Sequence, residues 1–180
     1  MAAGLPARPL ALSALWELGL IAFAGAVFGF LAVPLVWSTI SVWMSTALFM
    51  AVMLMLCAAS YRLFASEVTW ALMLQTVFLA LSGCLFIGIL TVVVPTATSL
   101  PAFSALCGAY VLAWLAGFVT PGTPAGVGVR EIVLLFLLGG QIAQADLLLA
   151  VVLGRVVTVM GDLLYFILAT FINKKRRIGG

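Results

Sequence analysis

The chain is a succession of long apolar runs separated by short interruptions that are polar or rich in proline and glycine. The first run continues to Trp37, and its length predicts a helix over about 11–35. A basic start at Arg8 followed by an apolar run also fits a signal peptide, with Ala22-Phe23-Ala24 as a cleavage site. The run is too long for that, so an uncleaved first span is expected. Glu17 sits in its first turns. Gly25 and Gly29 have the spacing that allows close helix approach, with ordinary small-residue packing as the simpler role.

Trp37 and Trp43 bracket an uncharged turn at residues 38–41, which is expected at a membrane surface because tryptophan prefers the headgroup level. A second span over about 42–60 carries Met44, Met50, Met53 and Met55 as core or lipid-facing fillers. It ends at Tyr61-Arg62, before a short polar loop with Glu67. The third span, about 69–94, stops at Pro95. Two prolines and three hydroxyl side chains make 95–101 a turn. A fourth span follows over about 102–119, with Trp114 near its end.

The next stretch, 119–131, does not fit a continuous helix. It holds two prolines and three glycines and closes on the adjacent charges Arg130 and Glu131. The apolar stretch behind it, 129–139, is about 16 Å of helix, roughly half a bilayer core. That length fits a half-helix. Gly139-Gly140 ends it, and a last span over about 146–172 contains Arg155 and Asp162. The pattern predicts an all-α, polytopic transmembrane helix bundle of about five full spans, plus a broken or re-entrant half-helix element at 119–139.

Composition agrees. Charged residues make up 7% of the 180-residue chain and hydrophobic ones 66%, where soluble domains have about 25% charged. One domain is expected, with no separate soluble module. The net charge of +3 comes mostly from Lys174-Lys175-Arg176-Arg177. That cluster, within a basic segment at 173–180, reads as a cytoplasmic flank and a contact for anionic lipid. With Arg8 and Arg62, it puts both termini inside. The last span must then begin outside, so residues 120–145 are expected to cross as a broken element rather than dip and return.

The chemistry available is narrow. There is no histidine, and no lysine precedes Lys174. Cys57, Cys84 and Cys107 are scattered singly, which argues against disulfides or zinc and for small core residues. No catalytic, metal or cofactor site is expected, and nothing suggests nucleic acid. Arg155 and Asp162 share a helix face but lie about 10 Å apart along the axis. Each is therefore expected to face the interior and pair elsewhere. Glu131 with Arg155 is one such pair, pinning the half-helix to the last span. The other reading is a ligand site. A half-helix beginning near Val129 directs free N–H groups inward, where such ends bind anions. Gly126 and Gly128 allow close backbone approach, Arg130 adds charge, and Glu131 can cap the helix. The natural anion at that depth is a lipid phosphate.

Pro124, Gly126, Gly128 and Glu131, with Arg155 in a later span, resemble the lysylphosphatidylglycerol synthase transmembrane family. These flippase-like proteins carry a Pro-Gly-Gly-x-Gly-x-x-Glu stretch followed by an arginine. Ala125 departs from the double glycine. The resemblance covers about residues 110–172. Family members are usually longer, so a short or truncated member, or a half that works as an oligomer, is expected. The resemblance implies binding or translocation of an anionic lipid or lipid-linked substrate across the bacterial inner membrane. The substrate-binding residues it implies here are Pro124, Gly126, Gly128, Glu131 and Arg155, to which the charge of Arg130 adds a sixth candidate. Synthase activity is not expected, because no aminoacyl-transfer domain is present. The alternative is a non-catalytic assembly partner of an envelope lipid- or polysaccharide-modifying system, through a homo-oligomer or a membrane enzyme.

Overall fold

The computed structural model describes residues 7–63, 66–94, 102–121 and 126–178. They form six helices and no strand: α1 (Ala7–Val36), α2 (Val42–Leu63), α3 (Ser66–Val93), α4 (Phe103–Val119), α5 (Val129–Leu138) and α6 (Gln144–Ile178). The expected 95–101 turn lies outside the described residues. Among the helices, α1, α2, α3 and α6 are each long and apolar enough to cross a membrane; α4 has 17 residues and α5 has 10. The protein is a membrane protein, and it is an all-α bundle.

The helices end where local chemistry ends them. The Ser41 hydroxyl accepts the Met44 N–H at 3.2 Å, capping the start of α2. Pro34, near the end of α1, has no N–H to offer the Phe30 carbonyl one turn back. The buried Ser45 of α2 donates its hydroxyl to that carbonyl instead. The vacancy left by the proline thus becomes an interhelical hydrogen bond. Farther along, Thr69 of α3 donates to the Ser60 hydroxyl of α2 at 3.3 Å.

The centre of the bundle is α4. Ala105, Leu106, Cys107, Gly108 and Ala109 are buried in succession, so no face of this stretch meets the surroundings. α1, α3 and α5 all pack on it. Gly108 makes the tightest approach: a Cβ there would lie 2.7 Å from the Ala32 nitrogen and from the Leu31 Cβ. Gly25 and Gly29 face Leu115 and Leu112 at 3.5 and 3.1 Å, so the α1 glycines serve helix packing. Of the four methionines of α2, Met53 is buried while Met44, Met50 and Met55 are exposed on the apolar outer surface. Cys107 is buried, but Cys84 is exposed. The expectation that all three cysteines are core residues fails for Cys84, which is exposed in an open hollow that it lines together with Cys107.

The helices do not end at the same level. Tyr110 of α4 stacks on Phe86 of α3. From that pair, α4 runs about nine residues to Val119 and α3 runs about twenty back to Ser66, which is ~14 Å against ~30 Å. α1 gives the same answer: opposite Leu115, it continues about 18 residues, ~27 Å, back to Ala7. α4 therefore stops near the middle of its neighbours. α5 starts beside it, and α6 then runs antiparallel to α3. Only the first part of α6 is in the core, through Leu147, Ala150 and Val151; every residue from 156 to 171 is exposed. α6 also extends through the basic cluster at 174–177 as continuous helix.

Candidate functional site

The polar residues of the chain's middle meet where α5 begins. Gly126 and Gly128 have φ of +69° and +89°, the left-handed region that glycine enters without penalty. Those two angles turn the chain into α5 at Val129. Gly128 then donates its N–H to Glu131 Oε2 at 2.8 Å, an acceptor at one of the helix's orphan donors. The other carboxylate oxygen, Glu131 Oε1, lies 3.0 Å from Arg155 Nη2 of α6. The same Nη2 donates to the Gly126 carbonyl at 3.4 Å. One carboxylate thus caps α5 and ties it to α6. The pair is mostly enclosed, with side-chain exposures of 27% for Arg155 and 19% for Glu131.

Arg130 takes a different route. Its side chain lies against Gly117 of α4 and Gly126 of the break. A Cβ on Gly117 would sit 2.9 Å from Arg130 Cγ, and one on Gly126 would sit 2.7 Å from the Gly117 Cα. Two bare glycines make the slot through which the side chain passes. The guanidinium carbon then lies 5.8 Å from the Trp114 ring centre, within cation–π range. Trp114 is braced by Phe118, stacked at 5.3 Å, and by Phe78, edge-on at 6.4 Å. Among the described residues, neither Arg130 Nε nor Arg155 Nε has a hydrogen-bond partner, although both are buried. Such donors are expensive to leave unmade.

Both arginines line a cavity of about 240 Å³ between α3, α4, α5 and α6. Phe78, Ser82 and Phe86 form its α3 wall, Tyr110 and Trp114 its α4 wall, and Arg155, Thr158 and Asp162 its α6 wall. Two further hollows among the described residues are apolar: one of about 410 Å³ between α1, α2 and α3, and one of about 320 Å³ involving Phe28 and Cys107. No cluster of metal-binding side chains occurs among the described residues.

Of the residues expected from sequence, Gly126, Gly128, Arg130, Glu131 and Arg155 come together here. Pro124 lies outside the described residues. Asp162 departs from expectation: it is exposed and has no ion-pair partner among the described residues. The α3 side chains beside it, Phe78 and Ser82, carry no charge to pair with it. Tyr110, Gly117, Thr158 and Ser82 were not anticipated. Tyr110, Trp114 and Gly117 follow helical spacing on one face of α4, as do Arg155, Thr158 and Asp162 on α6. That periodicity was the available signal.

Compared with protein-family models, curated proteins and solved structures, the chain matches none.

Proposed function

We propose that this protein is a flippase-like membrane protein that binds, and helps to move, a lipid or lipid-linked substrate through the phosphate of its headgroup. The observation that carries this reading is the pair of arginines in one cavity, each with a buried N–H that lacks a partner. Phosphate is the ligand that guanidinium donors suit best. Resemblance to the lysylphosphatidylglycerol synthase transmembrane family supports the same substrate class and a bacterial inner membrane.

The levels of the helices supply a route. α4 and α5 are read as a hairpin that enters the bilayer from the α3–α4 side, stops at mid-depth and returns, so that α6 makes the last crossing. Irregular backbone at that depth is tolerated where it is buried in protein or lines a cavity; Gly126 is buried against Gly117. With the basic end of α6 in the cytoplasm, the uncovered part of α6 leaves the cavity open towards the inner leaflet. A headgroup arriving from that side meets Arg155 and Arg130 halfway across. We infer the re-entrant hairpin over a broken crossing at 120–145; both fit a cytoplasmic C-terminus.

A second reading has its own observation. Glu131 already neutralises Arg155, as a purely structural pair would. In that case the protein is a non-catalytic assembly partner, and charge changes lower abundance alone. The test is lipid translocation by the purified protein in vesicles, for Arg130→Gln, Arg155→Ala and Glu131→Gln at matched protein levels. Loss of transport with normal abundance supports the lipid reading. Full transport by Arg130→Gln and Arg155→Ala sinks it.

A further inference from the structure

Resting on the lipid-phosphate reading, we propose that the cavity is two-ended and selects a headgroup carrying a primary amine as well as a phosphate. The phosphate sits at Arg130 and Arg155, and the ammonium sits at Asp162. Asp162 lines the same cavity as both arginines, on the same α6 face as Arg155. A carboxylate in the middle of an apolar helix is costly in lipid and tends to be functional. Here no described side chain neutralises it. An anion-only headgroup entering past Asp162 meets a repelling charge, whereas a zwitterion satisfies both ends.

The dimensions agree. Arg155 and Asp162 are seven residues apart, ~10 Å along the helix. Two charge-assisted hydrogen bonds of ~3 Å each leave about 4 Å between the ligand's charged groups, the reach of a two- or three-atom linker. The amine is primary because its partner is a hydrogen-bond acceptor. A quaternary ammonium is recognised by aromatic faces, and the Trp114 face is already occupied by the Arg130 guanidinium.

The experiment uses the full chain, purified and delipidated, with binding measured for phosphatidylethanolamine, phosphatidylglycerol, phosphatidylcholine and soluble glycerophosphoethanolamine. Wild type is expected to prefer phosphatidylethanolamine to phosphatidylglycerol by about five- to tenfold, a range set by partial solvent screening at Asp162. Asp162→Asn is expected to abolish that preference without weakening phosphatidylglycerol; Asp162→Glu should restore it in part. Equal binding of the two lipids, unchanged in Asp162→Asn, overturns the two-ended site and leaves the phosphate reading standing. Absence of binding by any of the four probes overturns both. Soluble glycerophosphoethanolamine bound as tightly as the lipid, and sensitive to Asp162→Asn, supports the two-ended chemistry and assigns it to a free phosphoamine rather than a membrane lipid.

Discussion

At the scale of single residues, the break is organised by two glycines with different duties. Gly128 has positive φ but open space around its Cβ position, whereas Gly126 has positive φ and the Gly117 backbone against it. Gly128→Ala is therefore expected to cost only the strain of a positive-φ backbone, ~1–3 kcal/mol. Gly126→Ala adds a collision with α4 and should be worse by a further ~1–3 kcal/mol. Thermal unfolding in detergent ranks the two variants, and equal losses would show that the Gly117–Gly126 approach is not tight. Glu131 likewise does two jobs, which a double-mutant cycle separates. Glu131→Gln keeps an oxygen for the Gly128 N–H but loses charge toward Arg155. The coupling between Glu131→Gln and Arg155→Gln is expected at ~1 kcal/mol, in line with polar pairs between membrane helices. A coupling near zero means that the ion pair contributes geometry alone.

At the scale of helices, the α1–α2 pair depends on a defect. Pro34 leaves the Phe30 carbonyl without a helical donor, and Ser45 supplies one from the next helix. Ser45→Ala is expected to destabilise the bundle by ~1–3 kcal/mol, since the carbonyl is then orphaned in an apolar setting. Pro34→Ala restores the in-helix donor, so the double variant should recover much of that loss. If it does not, Ser45 matters through packing. The α1–α4 contact makes a similar comparison possible. Gly108→Ala drives a methyl into the α1 backbone and should cost ~1–3 kcal/mol, while Gly88→Ala, with nothing within 4 Å of its Cβ position, should be neutral or slightly stabilising. At this scale much was legible in the sequence. Trp37, Arg62 and Gly139-Gly140 sit close to helix ends because anchors, charges and breakers act locally. The Ser45–Phe30 bond was hidden, since nothing in a serine fifteen residues away marks it as the donor for one carbonyl.

At the scale of the whole molecule, the decisive feature is that α4 ends near mid-length of α3 and α1 while α6 runs on uncovered. Single cysteines at positions 158 and 162, in a background lacking Cys57, Cys84 and Cys107, are expected to react with a membrane-impermeant thiol reagent from one side only. That side should be the one bearing residues 174–177. Labelling from the opposite face would reverse the proposed opening of the cavity. The sequence by itself determined a helical membrane bundle, the places where helices stop, and the clustering of rare charges around one glycine-rich break. These follow from solvent: apolar runs must leave water, and charges, prolines and glycines interrupt them wherever they fall. Pairing by charge type also anticipated that Glu131 meets Arg155. Tertiary structure alone decided that Arg130 threads between Gly117 and Gly126 to reach Trp114, that Asp162 has no ion-pair partner among the described residues, and that the break lies near mid-length of α1 and α3. Those depend on the axial offset between helices, which is set by side-chain interlocking such as Gly108 against Leu31 and Tyr110 on Phe86. A period of 3.6 residues fixes which face a residue occupies, but not the height at which its helix meets a neighbour.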